Sequence, residues 1–157
     1  MLKGQDCTEL LDYVASCGIT TFDTAENYGQ SEQVLGSWLK NKNREDYVIL
    51  TKGCHPYDRD RVTPEDLLHD VYQSLERLQT DYIDIYVLHR DNLHVEVGPL
   101  VEVLNELYQK GIIKEFGGSN WTIQRIIKAN QYAQSKGLKK MSISSPDFSV
   151  ANQVCDP

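Results

Sequence analysis

The 157-residue sequence has no long apolar run, no block of basic residues and no paired cysteines. Its longest uninterrupted apolar stretch is a few residues, against the roughly 20 that a membrane-spanning helix needs. Sixteen Lys and Arg against 23 Asp and Glu give a net charge of −7. Without a basic patch, neither nucleic acid nor an anionic membrane surface is an expected partner, although a local positive pocket for phosphate is compatible with that balance. Cys7, Cys17, Cys54 and Cys155 form no C-x-x-C pair and follow no secretory leader pattern, so reduced thiols and a cytoplasmic location are expected. Low-complexity tracts and Pro/Gly-rich linkers are absent, which suggests one domain over residues 1–157 or a substantial part of a larger one.

What is present is a regular alternation of two periodicities. Asp6 and Glu9 mark a helix start, Leu10, Leu11, Val14 and Cys17 share its face, and Gly18 stops it. Ile19–Phe22 reads as a strand closing on Asp23. Ser31 is expected to cap a helix carrying Val34, Leu35, Trp38 and Leu39. Tyr47–Thr51 is nearly all apolar, as in a strand buried on both faces, and closes on Lys52. Thr63-Pro64-Glu65-Asp66 is a helix start with a hydroxyl cap, Pro at the first position and acids in the first turn. Leu67, Val71, Leu75 and Leu78 make its stripe. Tyr82–Leu88 closes on His89, with Asp84 inside it needing a partner or nearby solvent. A helix through Leu100, Val103, Leu104 and Leu107 leads to Ile112–Phe116, which runs into Gly117-Gly118-Ser119-Asn120-Trp121. Thr122 caps a helix bearing Ile123, Ile126, Ile127 and Ala133, and Met141–Ser145 is the fifth strand.

Strand ends thus recur at Asp23, Lys52, His89, Ser119 and Ser145, roughly thirty residues apart, the size of a βα unit. Such a series builds a parallel sheet, either doubly wound or closed as a (β/α)8 barrel. The first strand lacks G-x-G-x-x-G, which argues against a dinucleotide-binding Rossmann fold. Five units fall short of a whole barrel of about 250 residues, so the fold class expected is a partial (β/α)8 barrel.

In a parallel sheet the carboxyl ends of the strands share one edge, where ligands bind. That edge would hold Asp23, Lys52, His89 and Ser119-Asn120, with Tyr28 in the loop after the first strand. An acid, a phenol, an ammonium and an imidazole in one place pass the first test for a site. A cation beside a phenol favours the phenolate, which makes the phenol a better proton donor to a developing alkoxide. The imidazole could hydrogen-bond the same oxygen, and Ser119 and Asn120 could hold a flat polar group such as a carboxamide. Together they suit carbonyl reduction with a nicotinamide cofactor.

FDTAENYG (Asp23, Tyr28), ILTK (Lys52), DIYVLH (His89) and GGSNW (Ser119, Asn120) resemble, in order, the motifs of the aldo-keto reductase superfamily, NAD(P)H-dependent oxidoreductases on a (β/α)8 barrel. The resemblance implies that Tyr28 donates the proton, that Lys52 paired with Asp23 eases its loss, and that His89 orients the carbonyl of an aldehyde or ketone. It implies cofactor contacts from Asp23, Ser119 and Asn120; Ser144-Ser145-Pro146 departs from the family pattern, since many relatives have Asn-Gln there, so a carboxamide contact is altered, although Ser145 could still hydrogen-bond the cofactor. NADPH is the cofactor implied, with NADH not excluded. By this resemblance the chain begins after the first barrel strand and stops beyond the sixth. Such a piece is expected to fold marginally and to bind NADPH weakly or not at all.

Three other readings compete. A non-catalytic regulatory subunit resembling the β-subunits of potassium channels shares the FDTAENYG stretch. A Schiff-base lyase would use Lys52 as an unpaired nucleophile. Cys54, His55, His89 and His94 have no zinc spacing, so no metal is expected. Substrate identity and oligomeric state are not written in the sequence.

Overall fold

The structure, a computed structural model, describes residues 7–147. Five strands and five α-helices alternate through it: α1 (Thr8–Ser16), β1 (Thr21–Asp23), α2 (Ser31–Leu39), β2 (Val48–Gly53), α3 (Pro64–Leu78), β3 (Ile83–Leu88), α4 (Val97–Gln109), β4 (Ile113–Ser119), α5 (Ile123–Ser135) and β5 (Ile143–Ser145), with a short 3-10 turn at Arg44–Asp46. The strands form one parallel sheet in the order β1-β2-β3-β4-β5, so each helix returns the chain to the next position along the sheet. This is a partial (β/α)8 barrel, as the alternation predicts.

Register fixes which side chains meet which layer. Phe22 pairs with Ile49, Thr51 with Tyr86, and Tyr86 with Phe116. These residues face the helices: Phe22 packs edge-on against Trp38 of α2 at 5.2 Å, and Tyr86, Phe116 and Ile49 are fully buried with Leu67, Leu78, Leu100, Leu104 and Leu107. The alternate set, through Lys52–Val87 and Gly117–Ile143, faces the lumen. That face is partly open, because Val48, Leu50, Ile85 and Ile143 keep some exposure. Among the described residues, β1 and β5 each pair along one edge only.

Local signals held where they were strongest. Thr63 caps α3 by accepting the Asp66 N–H, with Pro64 at the first helical position, and Thr122 caps α5 by accepting the Arg125 N–H. Others shift. Ser31 is the first residue of α2 rather than its cap; Gln30 holds that position, and the Ser31 hydroxyl accepts from Thr24 instead. The first strand is Thr21–Asp23, with Ile19 outside it and half exposed. The Asp6 helix start lies outside the described residues. In α1, Leu10 is exposed, as is Cys17 just after the helix, and Leu11 and Ala15 reach the core, while in α5 Ile123 and Ile127 face outward. Those stripes follow helical spacing but have only one packed neighbour layer to meet.

Asp84 finds its partners at the amino-terminal end of the sheet. It accepts from Arg44 Nη2 at 2.6 Å, Lys114 Nζ at 2.8 Å and the Ile49 N–H at 3.0 Å. Burial works to raise its pKa, but Lys114, the Ile49 N–H and Arg44 together outweigh it and hold the carboxyl below the usual carboxylate range. Arg44 also reaches Tyr82 O and Tyr47 O, and so ties the segment before β2 to β3.

Candidate active site

The lumen-facing set ends, strand by strand, on the residues singled out above. Asp23 closes β1 and Lys52 lies one residue before the end of β2. His89 follows β3 and continues its ladder by donating its backbone N–H to Gly53 O at 2.8 Å. Ser119 and Ser145 close β4 and β5 and stand opposite each other. All five share one parity of the pleat and one end of the sheet, so the structure brings them to a single mouth.

Lys52 is buried while the Asp23 side chain is more than half exposed. Its ammonium donates to Asp23 Oδ1 at 2.5 Å and to Thr24 O at 2.9 Å. The ion pair with Asp23 and the bond to the Thr24 carbonyl hold the amine, the opposite of the unpaired amine a Schiff-base nucleophile requires. The β1–α2 loop folds over this lysine because Thr24 N–H and Glu26 N–H extend the ladder onto Leu50 O and Lys52 O, at 2.8 and 2.9 Å. The Tyr28 N–H then turns back to Ala25 O at 3.0 Å, bringing the Tyr28 ring to 5.0 Å from the Lys52 ammonium. The same ring meets His89 edge-on, with centroids 5.8 Å apart.

His89 is buried and held neutral: burial, the Lys52 ammonium, His55 and Arg90 push its pKa down to about 4. Its Nδ1 is enclosed and has no hydrogen-bond partner. A proton there would be a buried donor without an acceptor, so the neutral ring carries its proton on Nε2.

The mouth has two more rings that periodicity does not flag. His55 stands 5.0 Å from His89 and 5.5 Å from Tyr57, extending the row that begins at Tyr28. The only sequence signal for them is their place, three and five residues beyond Lys52 on the same edge. Tyr57 donates its hydroxyl to both Glu26 carboxylate oxygens, at 2.9 and 3.0 Å, and desolvation and that bond push its pKa up to about 12. The Tyr57 phenol is thus committed to the Glu26 carboxylate.

At the other side of the mouth, Ser119 Oγ donates to Ser145 O at 3.1 Å, and the Asn120 N–H reaches the same carbonyl at 3.1 Å. Asn120 turns the chain with φ of 55° and keeps an exposed side chain whose amide donates to Ser119 Oγ at 3.3 Å. Hydroxyl and amide together offer donors and acceptors in the complement a carboxamide needs, so this donor set fits the nicotinamide end of the implied cofactor. Among the described residues no group of three or more His, Cys, Asp or Glu is placed to hold a metal ion, and no helix is long and apolar enough to cross a membrane.

Known proteins are similar to this chain in sequence and fold. Norsolorinic acid reductase B of Dothistroma septosporum is 33% identical over 147 residues, covering 85% of this chain and 38% of its own length. An aryl-alcohol dehydrogenase of Pestalotiopsis microspora is 34% identical over 154 residues, covering 90% and 40%. The NADH-specific methylglyoxal reductase of Escherichia coli is 34% identical over 152 residues, covering 85% and 47%. A thermostable aldo-keto reductase crystallised with the inhibitor epalrestat superposes with a TM-score of 0.79 at 28% identity, over 92% of this chain and 51% of that one. The chain therefore spans between 38% and 51% of the length of these proteins. The sequence model of the Aldo/keto reductase family matches residues 2–155, nearly the whole sequence, and the chain belongs to that family.

Proposed function

We propose that the protein, in its complete form, reduces an aldehyde or ketone to an alcohol, with Tyr28 as the proton donor. The observation that carries this reading is the stack formed by Asp23, Lys52, the Tyr28 ring and His89 at one mouth. When bound, a nicotinamide cofactor supplies the hydride. Ser119, Asn120 and Ser145 would hold its carboxamide, with Asp23 near the adjoining ribose. His89, neutral with its proton on Nε2, donates a hydrogen bond to the carbonyl oxygen and orients it. As charge develops on that oxygen, the Tyr28 hydroxyl gives up its proton, and the Lys52 ammonium stands where the resulting phenolate is best stabilised. Asp23 holds Lys52 in place and balances its charge.

NADPH is the expected cofactor by resemblance, although one relative is named as NADH-specific. The test is fluorescence titration of NADPH and NADH, followed by an assay of aldehyde reduction. It uses this chain and a version extended to the length of its relatives. Tyr28→Phe should lower kcat by at least about 100-fold while cofactor binding survives. Turnover unchanged in Tyr28→Phe would overturn the assignment. Tight cofactor retention without turnover would point to a regulatory subunit instead.

A further inference from the structure

The loop that carries Tyr28 is clamped from outside the mouth by one guanidinium. Arg77 lies in the last turn of α3, and its hydrogen bonds go to none of Asp23, Tyr28, Lys52 or His89. Its Nη1 donates to Glu26 O at 3.1 Å and to Glu32 Oε2 at 3.4 Å, and its Nη2 to Gln73 Oε1 at 3.0 Å. Glu26 precedes Tyr28 by two residues and Glu32 follows it by four, so one guanidinium nitrogen, Nη1, spans the loop while Nη2 ties the group to its own helix.

Both anchor points are fastened in turn. Glu32, almost wholly buried, accepts the Thr51 hydroxyl at 2.6 Å from β2, next to Lys52. Glu26 is buried too, and its carboxylate takes Tyr57 and, at 3.3 Å, Arg61 Nη1. The loop ends also meet directly, Thr24 Oγ1 donating to Ser31 Oγ at 2.9 Å. What lets Arg77 reach both sides is Gly36, one turn beyond Glu32 in α2. A Cβ there would lie 2.4 Å from the Arg77 carbonyl oxygen, so the backbones of α2 and α3 touch at this point.

We propose that Arg77 is a positioning residue for Tyr28: its guanidinium fixes the span from Glu26 to Glu32 and thereby the place of the phenol over Lys52. The planar guanidinium sets the direction of Nη1 toward the carbonyl and the carboxylate by fastening Nη2 to Gln73, an orientation that the single freely rotating ammonium of a lysine does not share. The catalytic consequence rests on reading Tyr28 as the proton donor; the placement itself does not.

The experiment separates the two. The full 157-residue chain is labelled with 3-fluorotyrosine, and its nine tyrosines are followed by 19F NMR, with Tyr28 assigned through Tyr28→Phe and fully buried Tyr86 as the marker of an intact fold. In Arg77→Met the Tyr28 resonance should move to the position of free fluorotyrosine while Tyr86 stays, and Arg77→Lys should recover part of the shift. A Tyr28 resonance unmoved in Arg77→Met, with Tyr86 in place, overturns the proposal. If Arg77→Met loses the Tyr86 signal as well, Arg77→Lys decides: displacement of Tyr28 alone supports the clamp, and no displacement sinks it. In a version that turns over, Arg77→Met should lower kcat about 100-fold with KM within twofold, the signature of a misplaced reacting group. An absence of turnover in the version extended to the length of its relatives, even without substitution, counts against the reductase reading and leaves the 19F result to decide the clamp.

Discussion

Lowering the pH tests the environment of His89 directly. The free imidazole titrates near 6.5 and His89 in the folded chain near 4, through burial first and then the charge of Lys52. Its folded pKa lies below the unfolded one, so the unfolded chain takes up the proton first. Stability from this group is therefore complete above pH 6.5, falls as the pH drops from 6.5 toward 4, and levels off below 4. The displacement corresponds to about 3 kcal/mol at most, or ~2 kcal/mol once solvent at the open mouth is allowed for. The assay is urea unfolding of the chain and of His89→Gln at intervals between pH 7.5 and 3.5. Other carboxylates titrate in both proteins and cancel in the difference. The unsubstituted chain should lose about 2 kcal/mol more than His89→Gln across that window. Parallel curves, or a His89 C2–H resonance titrating near 6.5, would refute the account of a neutral ring shut in beside Lys52.

Two further outcomes concern the frame that holds the site. Asp84→Ala should cost about 3 kcal/mol in urea unfolding, because Arg44 and the Ile49 N–H lose a buried acceptor together; a loss under about 1 kcal/mol would show that solvent and the carbonyls Arg44 already reaches satisfy them. Gly117→Ala should release β5 specifically. The added Cβ would fall 1.8 Å from Ile143 O, in the first of the three pairs through which β5 joins the sheet. Hydrogen exchange at the Asn120 amide, whose acceptor is Ser145 O, should then quicken while β2 and β3 stay protected. Unchanged protection at Asn120 would show that the strands can separate to admit a methyl group.

Much of this architecture is legible because its signals are local. Thr63-Pro64 contains both the cap and the pre-set dihedral of a helix start, and the structure uses both. The apolar runs ending on Asp23, Lys52 and His89 give the strands and their shared edge, since a parallel sheet leaves little freedom in where those ends fall. Other features are contacts between distant segments, and no short-range pattern encodes them. Arg44 meets Asp84 forty residues on, and Arg77 meets Glu26 fifty-one residues back. Tyr57 looks like an ordinary loop aromatic until folding carries it to the Glu26 carboxylate. The helix stripes mislead for a related reason. Ile123 and Leu10 have the spacing of buried residues, but burial also requires a neighbour, which periodicity does not report.

The shared pleat parity of Asp23, Lys52, Val87 and Ser119 has a consequence for how such a chain can change over time. A strand behaves as a reading frame of two. Deleting one residue within β2 would exchange Thr51 for Lys52, sending the ammonium into the helix layer and the hydroxyl into the lumen, although composition would hardly alter. Deleting two would restore the face but withdraw the lysine by one pleat from the Tyr28 loop. Length variation is therefore confined to the connections between strands and helices, and an alignment gap placed inside β2, β3 or β4 signals a misalignment before it signals divergence.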